Sequence, residues 1–253
     1  MPAATRPCWA SDCGAARWYL LRHAQPMIAP GVCYGQLDVA ADVAATAQAA
    51  AAFAAHWQAA HASKVEAGGA QLQLLASPLQ RCQQLAQRVL RQLGPPPPQP
   101  STRAPTPEPT PTPLGWTLHT HAGLAEIHFG AWEGVAWNDL PAHAWQAWMS
   151  NFAQHQPTGG ESLAQLLQRV LAAAQHTAQW LRQQPQGVAV WVTHAGVMRA
   201  LHWLLQHGHA LPASADQWPQ DGACDYGQWL ALDAAAVEGA VRQLLSLEPL
   251  RSL

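Results

Sequence analysis

Two apolar segments that lie far apart in the chain each run directly into a His-Ala pair. Residues 17–21 lead into Arg22 and His23, and residues 188–193 lead into His194. Short continuous apolar runs of this kind predict buried β-strands. In open α/β sheets, ligands bind in crevices beyond the carboxyl ends of the strands. The sequence therefore predicts a single pocket that both imidazoles line.

The rest of the chain alternates between strand-like and helix-like segments. Further strands are predicted at 71–76, 116–121 and 228–232, and helices at 43–62, 78–93, 137–152, 163–181, 196–205 and 235–246. Ser77 and Pro78 give two start signals for the second helix, as an N-cap residue and as a first helical residue. Such alternation predicts an α/β fold in which helices cover both faces of a mostly parallel sheet.

Two segments are set apart from this pattern by their composition. We expect residues 1–16 to form a loose N-terminal arm and residues 17–250 to form the main domain. Residues 95–113 are rich in proline, together with Thr, Gln and Ser, and neither a helix nor a central strand tolerates such a composition. This segment is therefore predicted to be a polyproline-like loop or a disordered insert within one domain.

The overall composition excludes several classes of partner. The net charge is −2 and only 11% of the residues are charged, so no global field attracts nucleic acid or an anionic membrane. No apolar stretch of about 18 residues is present, which argues against a membrane span. The five cysteines form no Cys-x-x-Cys pair, which favours reduced thiols. Because the N-terminus also does not resemble a signal peptide, we expect a cytoplasmic protein.

Five polar residues fall at predicted strand ends and helix starts, where they are expected to share the pocket. They are Arg22, His23, Arg81, Glu126 and His194. Arginine offers a planar fork that binds phosphate oxygens through paired, charge-assisted hydrogen bonds, and a helix start adds backbone N–H donors. Taken singly, each residue also has an ordinary structural explanation, such as a solvated charge or a satisfied core histidine. Taken together, in this order, they favour a phosphate site.

The same residues predict a reaction. A phosphate monoester hydrolyses extremely slowly in water, so an enzyme must supply a very large rate enhancement. A neutral imidazole at His23 can attack phosphorus to form a covalent intermediate, while the arginines and His194 stabilise the developing charge. Glu126 can then protonate the leaving oxygen and later activate a water molecule. The favoured function is therefore that of a phosphomonoester hydrolase.

Four motifs occur in the order found in the histidine phosphatase (phosphoglycerate mutase-like) superfamily, which the chain resembles from about residue 17 to residue 229. They are Leu-Arg-His-Ala at 21–24, Ser-Pro-Leu-Gln-Arg-Cys at 77–82, the run at 124–134 and Val-Thr-His-Ala-Gly at 192–196. The resemblance implies a three-layer α/β/α sandwich, a phosphohistidine on His23 and no metal or other cofactor. It also implies that Arg22, Arg81 and His194 bind the phosphate and that Glu126 donates the proton.

Within the superfamily, the chain is most similar to the α-ribazole phosphatases, which remove the 5′-phosphate of α-ribazole phosphate or of the cobalamin phosphate precursor. The segments that carry this similarity are 31–38, 129–134, 159–162 and 193–199. Tyr34, Gly35 and Gln36 are expected to contribute to substrate binding, and Gly35 would let backbone amides come close to an oxygen. Ala24 stands where most members carry glycine. The expected partner is a small phosphorylated substrate, and a homodimer is left open.

Three other functions stay open as alternatives. A broad-specificity histidine phosphatase or a phosphoglycerate mutase would use the same pocket, although we can assign no carboxylate clamp of the kind that a mutase needs. A scaffold that binds a phosphorylated ligand without turnover would be favoured by the loss of His23 or Glu126, and both residues are present.

Two groups of side chains each allow a structural and a functional interpretation. His-x-His pairs at 119–121 and 207–209 suggest a metal site, but no cysteine or carboxylate completes a set of four ligands, so surface histidines are favoured. The second group consists of four tryptophans. They could either stack on a flat base such as benzimidazole or pack beneath the loop that carries Glu126. They are Trp132, Trp137, Trp145 and Trp148. Because the chain has 13 tryptophans, core packing is favoured.

Overall fold

The computed structural model describes residues 16–66, 71–95, 115–232, 239–240, 242–244 and 246. The predicted N-terminal arm, apart from Ala16, and almost all of the proline-rich segment lie outside these residues. Part of the predicted helix at 235–246 also lies outside them, and its described residues are helical. Ala16 is buried, so this residue belongs to the core and not to a loose arm.

Five strands and five principal helices make up the described part of the chain. The strands are β1 (Trp18–Arg22), β2 (Gln71–Ala76), β3 (Trp116–Thr120), β4 (Gly187–Thr193) and β5 (Trp229–Leu232). The helices are α1 (Val43–Glu66), α2 (Gln80–Leu93), α3 (Ala142–Ser150), α4 (Leu163–Gln183) and α5 (Ala195–His207). Within the described ranges, no helix combines the length and the apolar character needed to cross a membrane.

The strands form one sheet in the order β3-β2-β4-β1-β5. The first four strands in this order are parallel to one another, and β5 runs antiparallel to β1 at the edge. Arg22 at the end of β1 pairs with Thr193 at the end of β4, and Ala76 at the end of β2 pairs with Val192. The carboxyl ends of these strands therefore meet at one edge of the sheet, as the sequence predicts.

Alternate side chains of the central strands enter two separate cores, because successive residues of a strand point to opposite faces. On one face, Trp18, Leu20 and Trp191 pack with residues of α4 and α5. On the other face, Tyr19 and Leu21 pack with residues of α1 and α2. The protein is a three-layer α/β/α sandwich, and the predicted fold class is confirmed.

Helix α2 begins later than its start signals predict. Its first helical residue is Gln80, and Leu79 precedes it without a side-chain capping bond. The backbone N–H of Ser77 is bonded to the carbonyl of Val192 at 3.0 Å, so Ser77 continues the pairing of β2 with β4. The predicted N-cap role of Ser77 is therefore wrong, because strand pairing competes for this residue.

The tryptophan-rich helix predicted at 137–152 is interrupted near its start. Trp137–Asp139 forms a single 3-10 turn, and α3 begins only after Pro141. A proline disfavours the helical conformation of the residue before it, and Leu140 is accordingly extended. The prediction was thus right about the helix but wrong about its length.

A hydrogen bond between β4 and α4 provides a test of the core packing. Trp191 Nε1 donates to Thr177 Oγ1 at 2.9 Å, and both residues are fully buried. We expect Thr177→Val to lower the free energy of unfolding by about 1–3 kcal/mol, because it leaves the indole N–H without an acceptor. Urea unfolding followed by circular dichroism measures this change.

The Trp191→Phe background provides the control for this test, because phenylalanine carries no N–H to lose. There the Thr177→Val change should cost clearly less, and the difference between the two backgrounds isolates the hydrogen bond. Equal losses in both backgrounds would show that this bond contributes nothing to stability.

Candidate active site

The carboxyl ends of β1 and β4 bring His23 and His194 together. The backbone N–H of His23 donates to the carbonyl of Thr193 at 3.0 Å, so the pairing of the strands extends to this residue. The centroids of the two imidazole rings are 5.0 Å apart, and both side chains are almost fully buried. The pair that the sequence places in one pocket is therefore present.

The hydrogen bonding of His23 leaves one ring nitrogen for chemistry. Its Nδ1 is 2.7 Å from the carbonyl oxygen of Ala24. A carbonyl can only accept, so Nδ1 carries the proton and Nε2 keeps its lone pair. Burial lowers the pKa of His23 to about 3, and the nearby charge of Arg81 adds to this effect. The imidazole is thus neutral near pH 7, which is the form that a nucleophile requires.

Ser77, which the sequence predicts to be a helix cap, instead fixes the orientation of His194. The Ser77 hydroxyl lies 2.8 Å from His194 Nε2, and its oxygen also accepts the N–H of Leu79 at 3.3 Å. When Nε2 accepts the hydroxyl proton, the proton of the neutral ring is on Nδ1, which can donate to a ligand. Burial, with His23 and Arg81 close by, holds the pKa of His194 well below its ordinary value.

Arg22, the last residue of β1, is held by the loop that precedes β5. Its Nη1 donates to the carbonyl of Cys224 at 2.8 Å, and its guanidinium lies 3.9 Å from the centroid of the Tyr226 ring. The same aromatic ring lies 5.4 Å from that of His23. Tyr226 therefore orients two of the predicted site residues. No sequence pattern marks this loop, so the role of Tyr226 is visible only in the structure.

Arg81, in the first turn of α2, is fully buried and is held by the loop at 31–38. Its Nη1 donates to the carbonyl of Leu37 at 2.9 Å and its Nη2 to that of Gly35 at 2.7 Å. Its guanidinium lies 5.2 Å from the centroid of the Tyr34 ring. The guanidinium lies close enough to both imidazoles for its charge to lower the pKa of His23 and of His194.

Several buried nitrogens of this cluster have no hydrogen-bond partner within the described part of the chain. They are Arg22 Nε, Arg81 Nε and His194 Nδ1. A buried donor that stays unpaired costs about 1–3 kcal/mol, and a bound oxyanion removes that cost. Both arginines are cations whose hydrogen bonds, within the described residues, go to carbonyl groups, so their charge is not neutralised there. The cluster can therefore bind a phosphate group.

The carboxylate of Glu126 is held at the start of α5. Its Oε2 accepts the N–H of Gly196 at 3.1 Å, and its Oε1 accepts the N–H of Ile127 at 2.9 Å. A Cβ atom on Gly196 would lie 2.1 Å from Oε1, so a side chain at this position would force the carboxylate to move. His194 is the N-cap residue of the same helix. The structure thus brings the carboxylate next to the proposed phosphate ligands, where it can exchange protons.

The loop at 31–38 carries three residues that are expected to bind substrate, and they do not all lie at the cavity. Tyr34 and Gly35 line the cavity described below, whereas Gln36 does not. The Gln36 side chain is used elsewhere, because its Nε2 donates to the carbonyl of Glu126 at 2.9 Å. Gly35 also packs so closely against the carbonyl of Ile127 that a Cβ atom would lie 2.4 Å from it. This loop therefore supports the loop that carries Glu126.

A mostly apolar cavity of about 620 Å³ has Arg22 and Glu126 in its wall. Its apolar lining is Val32, Ile127, Phe129, Trp137, Trp145, Trp148, Met149, Phe152, Leu163, Leu166, Ala195, Ala215 and Trp218. Helix α3 buries none of its residues, and its two tryptophans, Trp145 and Trp148, line the cavity. The core packing favoured for the tryptophans is correct for Trp132, which is buried, and in part for Trp148, which also packs against the core. Trp145 is exposed, and Trp137 lines the cavity as well.

Arg199 is a further cation in the cavity wall that the sequence analysis did not select. It lies four residues after Ala195 on α5, and both residues line the cavity. Its Nε is buried without a hydrogen-bond partner in the described ranges, and burial lowers its pKa. Residues four positions apart share one face of a helix, so Arg199 lies on the same face of α5 as Ala195. Its position in the helix that follows His194 could therefore have indicated it from the sequence.

The His-x-His pairs are not part of a metal site within the described residues. No group of three or more His, Cys, Asp or Glu side chains there is arranged to hold a metal ion. His121 Nδ1 instead accepts the N–H of Gly123 at 3.1 Å, and the His207 ring packs against Trp203 with centroids 4.0 Å apart. These contacts are structural.

Comparison with protein families agrees with this geometry. A family model described as histidine phosphatase superfamily (branch 1) matches residues 100–226, which is half of the chain. The matched region includes Glu126 and His194, whereas Arg22, His23 and Arg81 precede it. A comparison with curated proteins found no match.

Several solved structures share the fold. Mycobacterial glucosyl-3-phosphoglycerate phosphatase matches with a TM-score of 0.59 and 23% identity over 85% of this chain and 88% of that chain. The same phosphatase complexed with VO3 matches with a TM-score of 0.57 and 24% identity over 85% and 91%. Phosphoglycerate mutase from Thermus thermophilus matches with a TM-score of 0.51 and 23% identity over 86% and 92%. At such identities the likeness concerns the fold.

The lowered pKa of His23 predicts how stability depends on pH. His23 titrates near 6.5 in the unfolded chain and near 3 in the folded protein. Between these values the unfolded state binds more protons, so stability falls as the pH falls, by about 1.4 kcal/mol per pH unit for one such group. His23→Asn removes this contribution.

Urea unfolding of both proteins between about pH 6.5 and about pH 4 tests this expectation. As the pH falls, the free energy of unfolding of His23→Asn should rise relative to that of the unmodified protein. Groups common to both proteins cancel in this comparison. A difference that stays constant over the whole range would show that His23 does not have a lowered pKa.

Proposed function

This chain belongs to the histidine phosphatase superfamily and is a phosphatase, and we propose that it hydrolyses phosphate monoesters through a phosphohistidine formed on His23. The observation that carries the proposal is the cluster at the ends of β1 and β4. There a neutral imidazole with its Nε2 lone pair available lies beside His194 and two buried arginines. This combination supplies a nucleophile and the ligands for the group that it attacks.

In the first step, the phosphoryl group is transferred to the enzyme. The Nε2 lone pair of His23 attacks phosphorus, and the bond from phosphorus to the ester oxygen breaks. Arg22, Arg81 and His194 stabilise the equatorial oxygens, because charged donors in a buried site act more strongly than donors in water. Glu126, in its protonated form, gives its proton to the leaving oxygen. The products are a neutral alcohol and a phosphohistidine.

In the second step, water releases the phosphate. The ionised carboxylate of Glu126 accepts a proton from a water molecule, whose oxygen attacks phosphorus. The bond from phosphorus to Nε2 breaks, and its electron pair returns to His23. The imidazole regains its neutral form, in which the hydrogen bond from Nδ1 to Ala24 is intact. Glu126 is again protonated, and inorganic phosphate leaves.

The apolar cavity indicates the class of leaving group. Its aromatic wall buries and stacks against flat apolar groups better than against sugars or carboxylates. We therefore propose α-ribazole 5′-phosphate, or the cobalamin phosphate precursor, as the substrate, with the benzimidazole base among the tryptophans of α3. Trp145 and Met149 are both about two-fifths exposed, at 41% and 40%, so the base would also cover apolar surface that water now contacts.

A phosphoglycerate ester, handled by a phosphatase or a mutase, is the second candidate. Arg199 favours it, because a half-buried guanidinium with an unpaired Nε can bind a carboxylate. The choice between the two candidates depends on whether the apolar wall or Arg199 contributes more binding energy.

The covalent step predicts a specific chemical trace. Purified protein treated with EDTA should release phosphate from α-ribazole 5′-phosphate and, when it is quenched during turnover, carry an acid-labile phosphoryl group on His23. His23→Ala should lose both properties, by a factor of about 10⁴ or more in kcat, because no other group replaces the nucleophile. Unchanged circular dichroism shows that the fold is intact. Substantial turnover by His23→Ala would refute the covalent mechanism.

The aromatic wall predicts a preference that depends on the base. Ribose 5-phosphate has the same kind of sugar phosphate but no base, so we expect kcat/KM to be higher for α-ribazole 5′-phosphate than for ribose 5-phosphate or 3-phosphoglycerate. Trp145→Ala should lower kcat/KM for the ribazole ester by about 10-fold, since stacking on a base is worth about 1–3 kcal/mol. It should leave ribose 5-phosphate unaffected.

A tryptophan outside the cavity provides the matched control. Trp180 lies on α4 and does not line the cavity, so Trp180→Ala should change neither substrate's kcat/KM. A preference for 3-phosphoglycerate that Arg199→Met abolishes would support the second candidate and exclude the ribazole ester.

A further inference from the structure

We propose that Arg169 is a positioning residue for the proton donor, acting through the backbone segment that carries Glu126. This inference rests on the function proposed for Glu126. Arg169 lies on α4 and does not line the cavity, so it is not placed to touch the substrate. Sequence reasoning did not select it, because it lies more than forty residues from Glu126 along the chain.

The Arg169 guanidinium binds three backbone carbonyls of the segment that leads to Glu126. Its Nη1 donates to Gly123 at 3.0 Å and to Ala125 at 2.7 Å, and its Nη2 donates to the carbonyl of Glu126 at 2.9 Å. The carbonyls lie within four consecutive residues. A single planar group thus fixes the path of the chain just before the carboxylate side chain departs.

The remaining donors of Arg169 are bound by the carboxylate of Glu161. Arg169 Nε donates to Oε2 at 2.9 Å, and Nη2 donates to Oε1. Oε1 also accepts the backbone N–H of His128 at 2.9 Å. An arginine has five N–H donors in a fixed fork, and these contacts occupy all of them. The ion pair therefore holds the chain on both sides of Glu126.

The ion pair also separates Arg169 from the arginines that we assign to the phosphate. Arg22 and Arg81 bind carbonyl oxygens, whereas Arg169 is neutralised by a carboxylate. Its positive charge is thus already compensated, and its contacts are made to backbone. A role in positioning fits this environment better than a role in binding an anion.

Placement of Glu126 matters because proton transfer needs a short donor–acceptor distance. A displacement of about 1 Å can cost about 100-fold in rate. The side chain has backbone partners at Gly196 and Ile127, but these contacts fix the carboxylate only if its own backbone stays in place. Loss of Arg169 would leave Gln36 as the side chain that binds the Glu126 carbonyl.

A comparison of two leaving groups distinguishes positioning from a general effect on the fold. An alkoxide needs a proton from Glu126 when it leaves, whereas p-nitrophenolate leaves without one. Arg169→Met should therefore slow single-turnover phosphorylation of the enzyme by α-ribazole 5′-phosphate by about 100-fold. It should slow the burst of p-nitrophenol from p-nitrophenyl phosphate by less than about 3-fold. Glu126→Gln should give the same pattern.

The double variant shows whether Arg169 acts through Glu126. If it does, Arg169→Met should cause little further loss when it is added to Glu126→Gln. Arg169→Lys keeps the charge but has only three donors, so we expect its rate to lie between those of the unmodified protein and Arg169→Met. Where Arg169→Met does not fold, Arg169→Lys and Glu161→Gln serve for the same comparison.

Two results would overturn the inference. One is an equal slowing of both esters by each Arg169 variant, and the other is a full additional loss in the double variant. The unmodified protein distinguishes these results from failure of the proposed function. If it forms no phosphoenzyme from either ester, then the proposed function is wrong, whatever the variants do.

Discussion

The parallel pairing of β1 with β4 is the interaction on which the site depends. It places Arg22 opposite Thr193, and the next hydrogen bond, from His23 to Thr193, sets the two imidazoles side by side. A slip of one residue in this register would turn the side chains of β1 to the opposite face. The register is fixed by packing, because alternate residues of both strands are buried in different cores.

The hydrogen-bond partners of each arginine indicate whether that arginine can bind substrate or instead stabilises the structure. Arg22 and Arg81 are oriented by carbonyl oxygens and retain their charge, so they keep a positive potential around the imidazoles. That potential favours the neutral form of His23 and attracts a dianion. Arg169 is paired with Glu161 and contributes geometry. The same residue type therefore has two different uses, according to its partner.

The sequence predicted the strands and the residues at their ends, because these depend on local composition and on motifs of short spacing. Ser77, Tyr226 and Arg169 could not be found in this way. Their roles arise from contacts with residues more than forty positions away in the chain. The sequence predicts core packing for the tryptophans of α3, because composition does not show which face of a short helix is covered. Their position at the cavity, and the packing of Trp148 against the core, follow from the tertiary structure.

The wall of the cavity and Glu126, the proposed proton donor, belong to one backbone segment. Ile127 and Phe129 line the cavity and follow Glu126 closely in the chain. Two glycines let neighbouring loops contact this segment closely. A Cβ atom on Gly35 would lie 2.4 Å from the carbonyl oxygen of Ile127, and a Cβ atom on Gly130 would lie 2.2 Å from that of Thr158. Under the proposed function, a leaving group that packs against this wall contacts the segment that carries Glu126. Binding energy from a part of the substrate that does not react would then help to orient the carboxylate.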